Sequence, residues 1–156
     1  MMDFDLHKPR VHDYFGVKNK KGTSNLLVGK STVTEVITTG PYPTLDIISA
    51  GPLPPNASDL ILSERLTPLL SQLKKEYDYV ILDTPPILLI SDALVLMEHV
   101  DTALLVTNTK QSSRRGIKHL EDLLDQNNLK HASFVLNGIK PRFLMKYYSK
   151  YAARYG

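Results

Sequence analysis

Tyr79-Val80-Ile81-Leu82-Asp83-Thr84-Pro85-Pro86 decides the fold. A short apolar run that ends in an acid and two prolines reads as a buried strand stopped abruptly, because proline cannot donate to a sheet ladder. Working upstream, Leu66, Leu69, Leu70 and Leu73 fall on one face between Ser63 and Tyr77, with Lys74, Lys75 and Glu76 closing the segment. That spacing predicts an amphipathic helix. Downstream, Ser91-Asp92 can cap a helix running from Ala93 to His99. A second apolar run follows at Thr102–Thr107, helical spacing returns at Ile117, Leu120, Leu123 and Leu124, and a third run spans Ala132–Asn137. Leu45–Ser49 is a further strand candidate, ended by Ala50-Gly51-Pro52. Strands alternating with helices imply an α/β fold, a mostly parallel sheet flanked by helices.

Composition narrows the function classes. The 156 residues fit one domain, and 42% hydrophobic with 22% charged residues is ordinary for a packed globular chain. The absence of cysteine excludes disulfides, thiolate metal sites and cysteine nucleophiles. No uncharged apolar run approaches the ~18 residues of a spanning helix and no leader opens the chain, so a soluble intracellular protein is expected. The net charge of +3 divides unevenly. Residues 140–156 carry Lys140, Arg142, Lys146, Lys150 and Arg154 without an acid, which leaves 14 bases against 16 acids in residues 1–139. Half of the eight tyrosines, Tyr147, Tyr148, Tyr151 and Tyr155, lie in this basic tail. It can act as phosphoacceptor, pack as a short amphipathic helix, or meet nucleic acid or anionic lipid. Each phosphate would add roughly −1.5 to −2 charge and reverse its sign after a few additions.

The acids that end strands are the candidate chemistry. Ligands of open parallel sheets bind beyond the carboxyl ends of the strands. Asp83, and Asp3 with Asp5 after the apolar start at Met1, belong to that rim. Carboxylates there can hold Mg²⁺ or take a proton from an attacking hydroxyl; alternatively, they cap the turns that follow. Gly29-Lys30-Ser31-Thr32 imitates a phosphate-binding loop, but GxxxxGK[ST] requires a glycine where Ser24 stands, and a strand where Thr23–Val28 reads as a helical turn. Met1–Asp5 resembles the end of a buried strand with almost no beginning, which raises the expectation of further sequence upstream. His99, His119 and His131 show no ligand spacing.

Asp3-Phe4-Asp5-Leu6-His7-Lys8-Pro9-Arg10, Leu45–Gly51 with Pro54-Pro55-Asn56, Val80–Pro86, Ser91-Asp92-Ala93 and Val135–Gly138 appear in an order that spans nearly the whole chain. Together with the tyrosine tail they resemble the bacterial tyrosine kinases of capsule and exopolysaccharide export, built on a MinD/ParA-like P-loop ATPase fold. The resemblance implies a catalytic domain over 1–139 and a basic tyrosine-rich tail over 140–156. It assigns Asp3, Asp5 and Asp83 to catalysis and metal binding, Asn137 and Lys8 to the cofactor, and Tyr147, Tyr148, Tyr151 and Tyr155 to phosphate acceptance from a neighbouring subunit. ATP and Mg²⁺ are the cofactors implied. Neighbouring subunits of a homo-oligomer, a transmembrane polysaccharide co-polymerase segment or adaptor, and a tyrosine phosphatase are the partners, with no nucleic acid. The implied location is cytoplasmic, at the inner face of the plasma membrane. Two features depart from the family pattern: His7 stands where arginine is expected, and no GxxxxGK[ST] precedes the DxD. The 156 residues alone are therefore expected to bind ATP poorly and to be inactive. A phosphorylated, non-catalytic relative and a MinD/ParA-type ATPase are the rival readings, the latter disfavoured by the tyrosine tail.

Overall fold

The computed structural model describes residues 1–139; Lys140–Gly156, with the four candidate phosphoacceptor tyrosines, lie outside the described residues. The chain forms two compact units, Met1–His99 and the residues from Val100 onward.

In chain order the first unit contains β1 (Met2–Asp3), α1 (Val11–Phe15), α2 (Thr23–Leu27), α3 (Val33–Val36), β2 (Thr38–Thr39) and β3 (Asp46–Ile47). It continues through α4 (Ala57–Ile61), α5 (Leu66–Glu76), β4 (Leu82–Asp83) and α6 (Asp92–Met97). β1 is central. It pairs in parallel with β4, and a parallel bridge joins Met2 to Ile48 just past β3. Its amides alternate between the two sides: Met2 and Phe4 donate to Ile81 and Asp83, whereas Asp3 donates to Ile48. A strand bonded on both edges and covered on both faces leaves nothing exposed. Accordingly Met2, Asp3 and Phe4 are all buried. β2 and β3 add a small antiparallel pair.

The helix expected over 63–77 is α5, and Leu66, Leu69, Leu70 and Leu73 are its buried face. Pro68 is tolerated because the first turn of a helix has no use for its amide hydrogens. These leucines pack with Phe4, Leu6, Ile48, Ile61 and Leu96 in one core, each large side chain contributing about 1.5–3 kcal/mol through burial. The deciding run behaves differently from expectation at its start. Only Leu82 and Asp83 are strand, and Tyr79 and Ile81 are exposed, because β1 offers just two residues for pairing. Thr23–Leu27 is the expected helical turn, so Gly29-Lys30 follows a helix rather than a strand; the Lys30 N–H donates back to the Asn25 carbonyl at 2.9 Å. This is not a phosphate cradle.

The second unit contains β5 (Ala103–Asn108), α7 (Arg114–Gln126) and β6 (Ala132–Asn137). β5 and β6 pair in parallel over their full lengths, from Ala103 opposite Ala132 to Asn108 opposite Asn137. α7 begins with a true cap, the Gly116 N–H donating to Ser113 Oγ at 3.0 Å, and buries Leu120 and Leu124. A strand, a helix and a parallel strand form the crossover unit that the apolar runs predict. Among the described residues, no helix is long and apolar enough to cross a membrane.

Candidate active site

The carboxyl ends of β1 and β4 carry the acids. Asp3 and Asp83 occupy the same register position on neighbouring parallel strands, and Asp5 follows in the turn leaving β1. They are not equivalent. Asp3 is fully buried, and both of its oxygens are engaged: Oδ1 accepts the Asp5 N–H at 3.0 Å and Oδ2 the Val11 N–H at 3.3 Å. Burial pushes its carboxyl up to about 6; the two amide bonds oppose that shift, while Asp83 and Asp5 add to it by repulsion. Asp83 is half-buried, and its carboxyl is raised first by burial and then by the Asp5 charge. Asp5 Oδ1 accepts the N–H groups of His7 at 3.2 Å and Lys8 at 2.8 Å, leaving Oδ2 available.

Three carboxylates close enough to repel each other form a locus of negative potential. All the donors are hard oxygens, which suit Mg²⁺. Mg²⁺ uses one or two carboxylates with water and phosphate making up the rest. The described residues contain no group of three or more side chains converging as a complete metal cage, and each oxygen of the buried Asp3 already accepts an amide N–H. The residues that could hold a cation are therefore Asp83 and Asp5, with Asp3 bracing the turn that carries Asp5. For nucleotide phosphates the chain offers no GxxxxGK[ST] loop.

Lys8 is exposed, and its backbone belongs to the Asp5 turn. Asn137 ends β6 in the second unit, its Oδ1 accepting the Gly138 N–H at 2.7 Å. Ser91 stands at the cap position expected for α6. It makes no cap bond there, and the buried Asp92 meets His7 Nε2 at 2.9 Å and the Ser58 hydroxyl at 2.6 Å. A lone acid in a helix's first turn gives no sequence signal of such distant partners.

Strand-end acids on a parallel rim, with helices between the strands, define an α/β protein whose ligand site lies at the carboxyl ends of its strands. A family model described as an AAA domain matches residues 11–134. Tyrosine-protein kinase etk of Escherichia coli K12 is 35% identical over 141 residues, 90% of this chain and 19% of that protein. The solved kinase domain of the E. coli tyrosine kinase ETK superposes with a TM-score of 0.85 at 34% identity, covering 90% of this chain and 55% of that one. The cell division ATPase MinD of Pyrococcus furiosus shares the fold, with a TM-score of 0.67 at 23% identity over 90% of this chain and 60% of its own. The chain belongs to the AAA domain family, and relatives such as etk are named tyrosine-protein kinases. It spans about a fifth of the length of the relatives etk and Ralstonia nicotianae EpsB.

Proposed function

We propose that this chain is the catalytic-domain portion of a bacterial protein-tyrosine kinase that phosphorylates the tail tyrosines of a neighbouring subunit and thereby regulates capsule or exopolysaccharide synthesis and export. The observation that carries the reading is the registered pair Asp3 and Asp83, joined by Asp5 on one strand rim. Bound Mg-ATP supplies the phosphoryl group and neutralises charge on the phosphates. The chain's own residues do the rest. Asp83 and Asp5 attract the cation, and Asp3 stays engaged with the backbone. Asp5 Oδ2, the oxygen not held by the two amides, has one lone pair for the cation and a second that can take the proton of an incoming tyrosine hydroxyl. The acceptors are Tyr147, Tyr148, Tyr151 and Tyr155, whose basic flanks suit an acidic rim. Asn137 is assigned to the adenine and Lys8 to the phosphates. The setting is the cytoplasmic face of the plasma membrane, with a polysaccharide co-polymerase segment or adaptor as anchor and a tyrosine phosphatase to reset the tail.

Mass spectrometry of tail phosphotyrosine tests this in protein carrying its natural upstream sequence, wild type against Asp83→Asn. Loss of phosphate in the variant is expected; equal phosphate in both overturns the role of Asp83. One observation favours a second reading. Residues 1–156 lack GxxxxGK[ST], so the chain by itself suits a phosphorylated interaction module that does not catalyse. Micromolar Mg-ATP binding by the 156 residues would refute that version.

A further inference from the structure

Asp92 is a buried acid that stands apart from the acids of the strand rim. It is 2% exposed, in the first turn of α6, and a buried carboxylate is costly unless its oxygens are satisfied. Here both are. Oδ1 accepts the Ser58 hydroxyl of α4 at 2.6 Å, and Oδ2 lies 2.9 Å from His7 Nε2. One carboxylate thus ties two helices to the turn that leaves β1.

The same turn holds Asp5. The His7 N–H, together with that of Lys8, donates to Asp5 Oδ1, so the residue clamped through its ring by Asp92 grips Asp5 through its backbone. His7 is 39% exposed, and its ring is anchored by the buried Asp92. We propose that Asp92, acting through His7, is a positioning residue that holds the 5–8 turn so that Asp5 stands beside Asp83. The proposal rests on the reading of Asp5 and Asp83 as a cation-binding pair.

It also gives a physical account of the histidine at position 7. An arginine there could engage both oxygens of a carboxylate with its planar fork. Imidazole offers a single N–H to Asp92, and the Ser58 hydroxyl satisfies the second oxygen. Ser58 and His7 together do what one guanidinium can do alone. An arginine restored at position 7 should therefore hold the turn as well as histidine does.

Mn²⁺ titration of the full 156-residue chain, followed by electron paramagnetic resonance of the free ion, is one half of the test. Hydrogen exchange of the Lys8 amide, which needs no metal, is the other. His7→Ala, on the exposed side of the pair, is expected to weaken Mn²⁺ binding on the order of tenfold and to speed Lys8 exchange by a similar factor, and to lower the melting temperature by roughly a few degrees because Asp92 Oδ2 loses its partner. His7→Arg should keep Mn²⁺ binding and Lys8 exchange within about twofold of wild type. Asp92→Asn should match His7→Ala; if it fails to fold, His7→Ala carries the test. Wild-type Mn²⁺ affinity and Lys8 exchange in His7→Ala, alongside loss of Mn²⁺ in Asp83→Asn, would overturn the positioning role and leave the cation pair standing. A wild-type chain that takes no Mn²⁺, or an Asp83→Asn chain that binds it equally well, would overturn the cation pair and the positioning role with it.

Discussion

Asp3 and Asp83 face each other in register on adjacent parallel strands, one fully buried and the other half-buried. Neighbouring strands run about 4.8 Å apart, so two carboxylates at one register position repel unless one is neutralised or a cation lies between them. The structure separates their duties. Asp3 spends both oxygens on the amides of Asp5 and Val11, which fixes the path of the chain as it leaves β1. Asp83 retains access to solvent. An acidic rim built this way is electrostatically strained in the absence of a cation, and that strain should be measurable without any assay of catalysis.

Asp3 makes stability fall as pH rises. Its carboxyl titrates near 6 in the folded chain against a reference of 3.8, so the folded state holds the proton after the unfolded state has released it. Below 3.8 the group costs nothing; between about 4 and 6 the cost grows; above 6 it is complete, up to about 3 kcal/mol. Urea denaturation across pH 4 to 7 should show this decline superimposed on the other titrations. In Asp3→Asn it should disappear, so the variant gains on wild type by about 2–3 kcal/mol between the two ends.

A divalent cation should relieve the same strain. If Asp83 and Asp5 take Mg²⁺ or Mn²⁺, the folded chain gains about 1.4 kcal/mol at ten times the dissociation constant. The gain should be larger at pH 7 than at pH 4.5, because proton and cation compete for the same oxygens. Thermal melts with and without Mn²⁺ give the comparison, with Asp83→Asn as control. A chain whose melting temperature ignores Mn²⁺ at both pH values would refute cation binding at this rim.

The α/β class and the long elements were legible because each bears a strong local pattern. Leu66, Leu69, Leu70 and Leu73 repeat at helical spacing and form the buried face of α5, and Ala132–Asn137 is β6 residue for residue. The acids could be read too, since strand-end carboxylates before a diproline or in a DxD are local signals. Three things were hidden. The extent of β4 depends on its partner: Tyr79 and Ile81 are apolar yet exposed, because β1 pairs only with the last two residues of that run. The partners of Asp92 lie 85 and 34 residues away in sequence, and no periodicity joins His7, Ser58 and Asp92. The division of roles between Asp3 and Asp83 likewise follows from burial, which the motif DxD does not encode.

Gly22 is irreplaceable for a reason of space. It begins α2 where the chain crosses the end of the β3 segment: Thr23 and Ser24 donate to the Ser49 and Ala50 carbonyls at 2.8 and 2.9 Å, and the Thr23 hydroxyl reaches the Asp3 carbonyl at 2.7 Å. A methyl group on Gly22 would overlap the Ser49 carbonyl oxygen and come within 2.5 Å of the Gly51 nitrogen. Both are backbone atoms, so neither can swing aside. Gly22→Ala should cost about 3 kcal/mol or more, or prevent folding. Gly16, which ends α1 with φ of 64°, has open space around it, and Gly16→Ala should cost only about 1 kcal/mol through backbone strain. Chemical denaturation of the two variants measures the contrast. Similar losses in both would mean that the close approach at Gly22 does not govern stability.

Tyr77 ties the end of α5 to the start of β3. Its hydroxyl donates to Asp46 Oδ2 at 2.7 Å, a charge-assisted bond between side chains 31 residues apart. That bond, with burial and the nearby acids behind it, pushes the phenol up to about 12 from 10.0, because an ionised phenolate would lose the donor and face the carboxylate. The direction of the pH effect follows. The folded state favours the neutral phenol, so the contribution is complete below pH 10, where the unfolded chain is also neutral, and is lost as pH rises from 10 to 12. Both partners are partly exposed, so solvent screening holds the contribution to about 1 kcal/mol. Tyr77→Phe should therefore lower stability by about that amount at pH 8 and by much less at pH 11.5, with the difference between wild type and variant cancelling the titration of the lysines. Asp46→Asn should remove most of the same increment at pH 8, and the double variant should lose little more than either single change, since the two side chains form one interaction. Additive losses in the double variant would show that each side chain stabilises the chain through other neighbours.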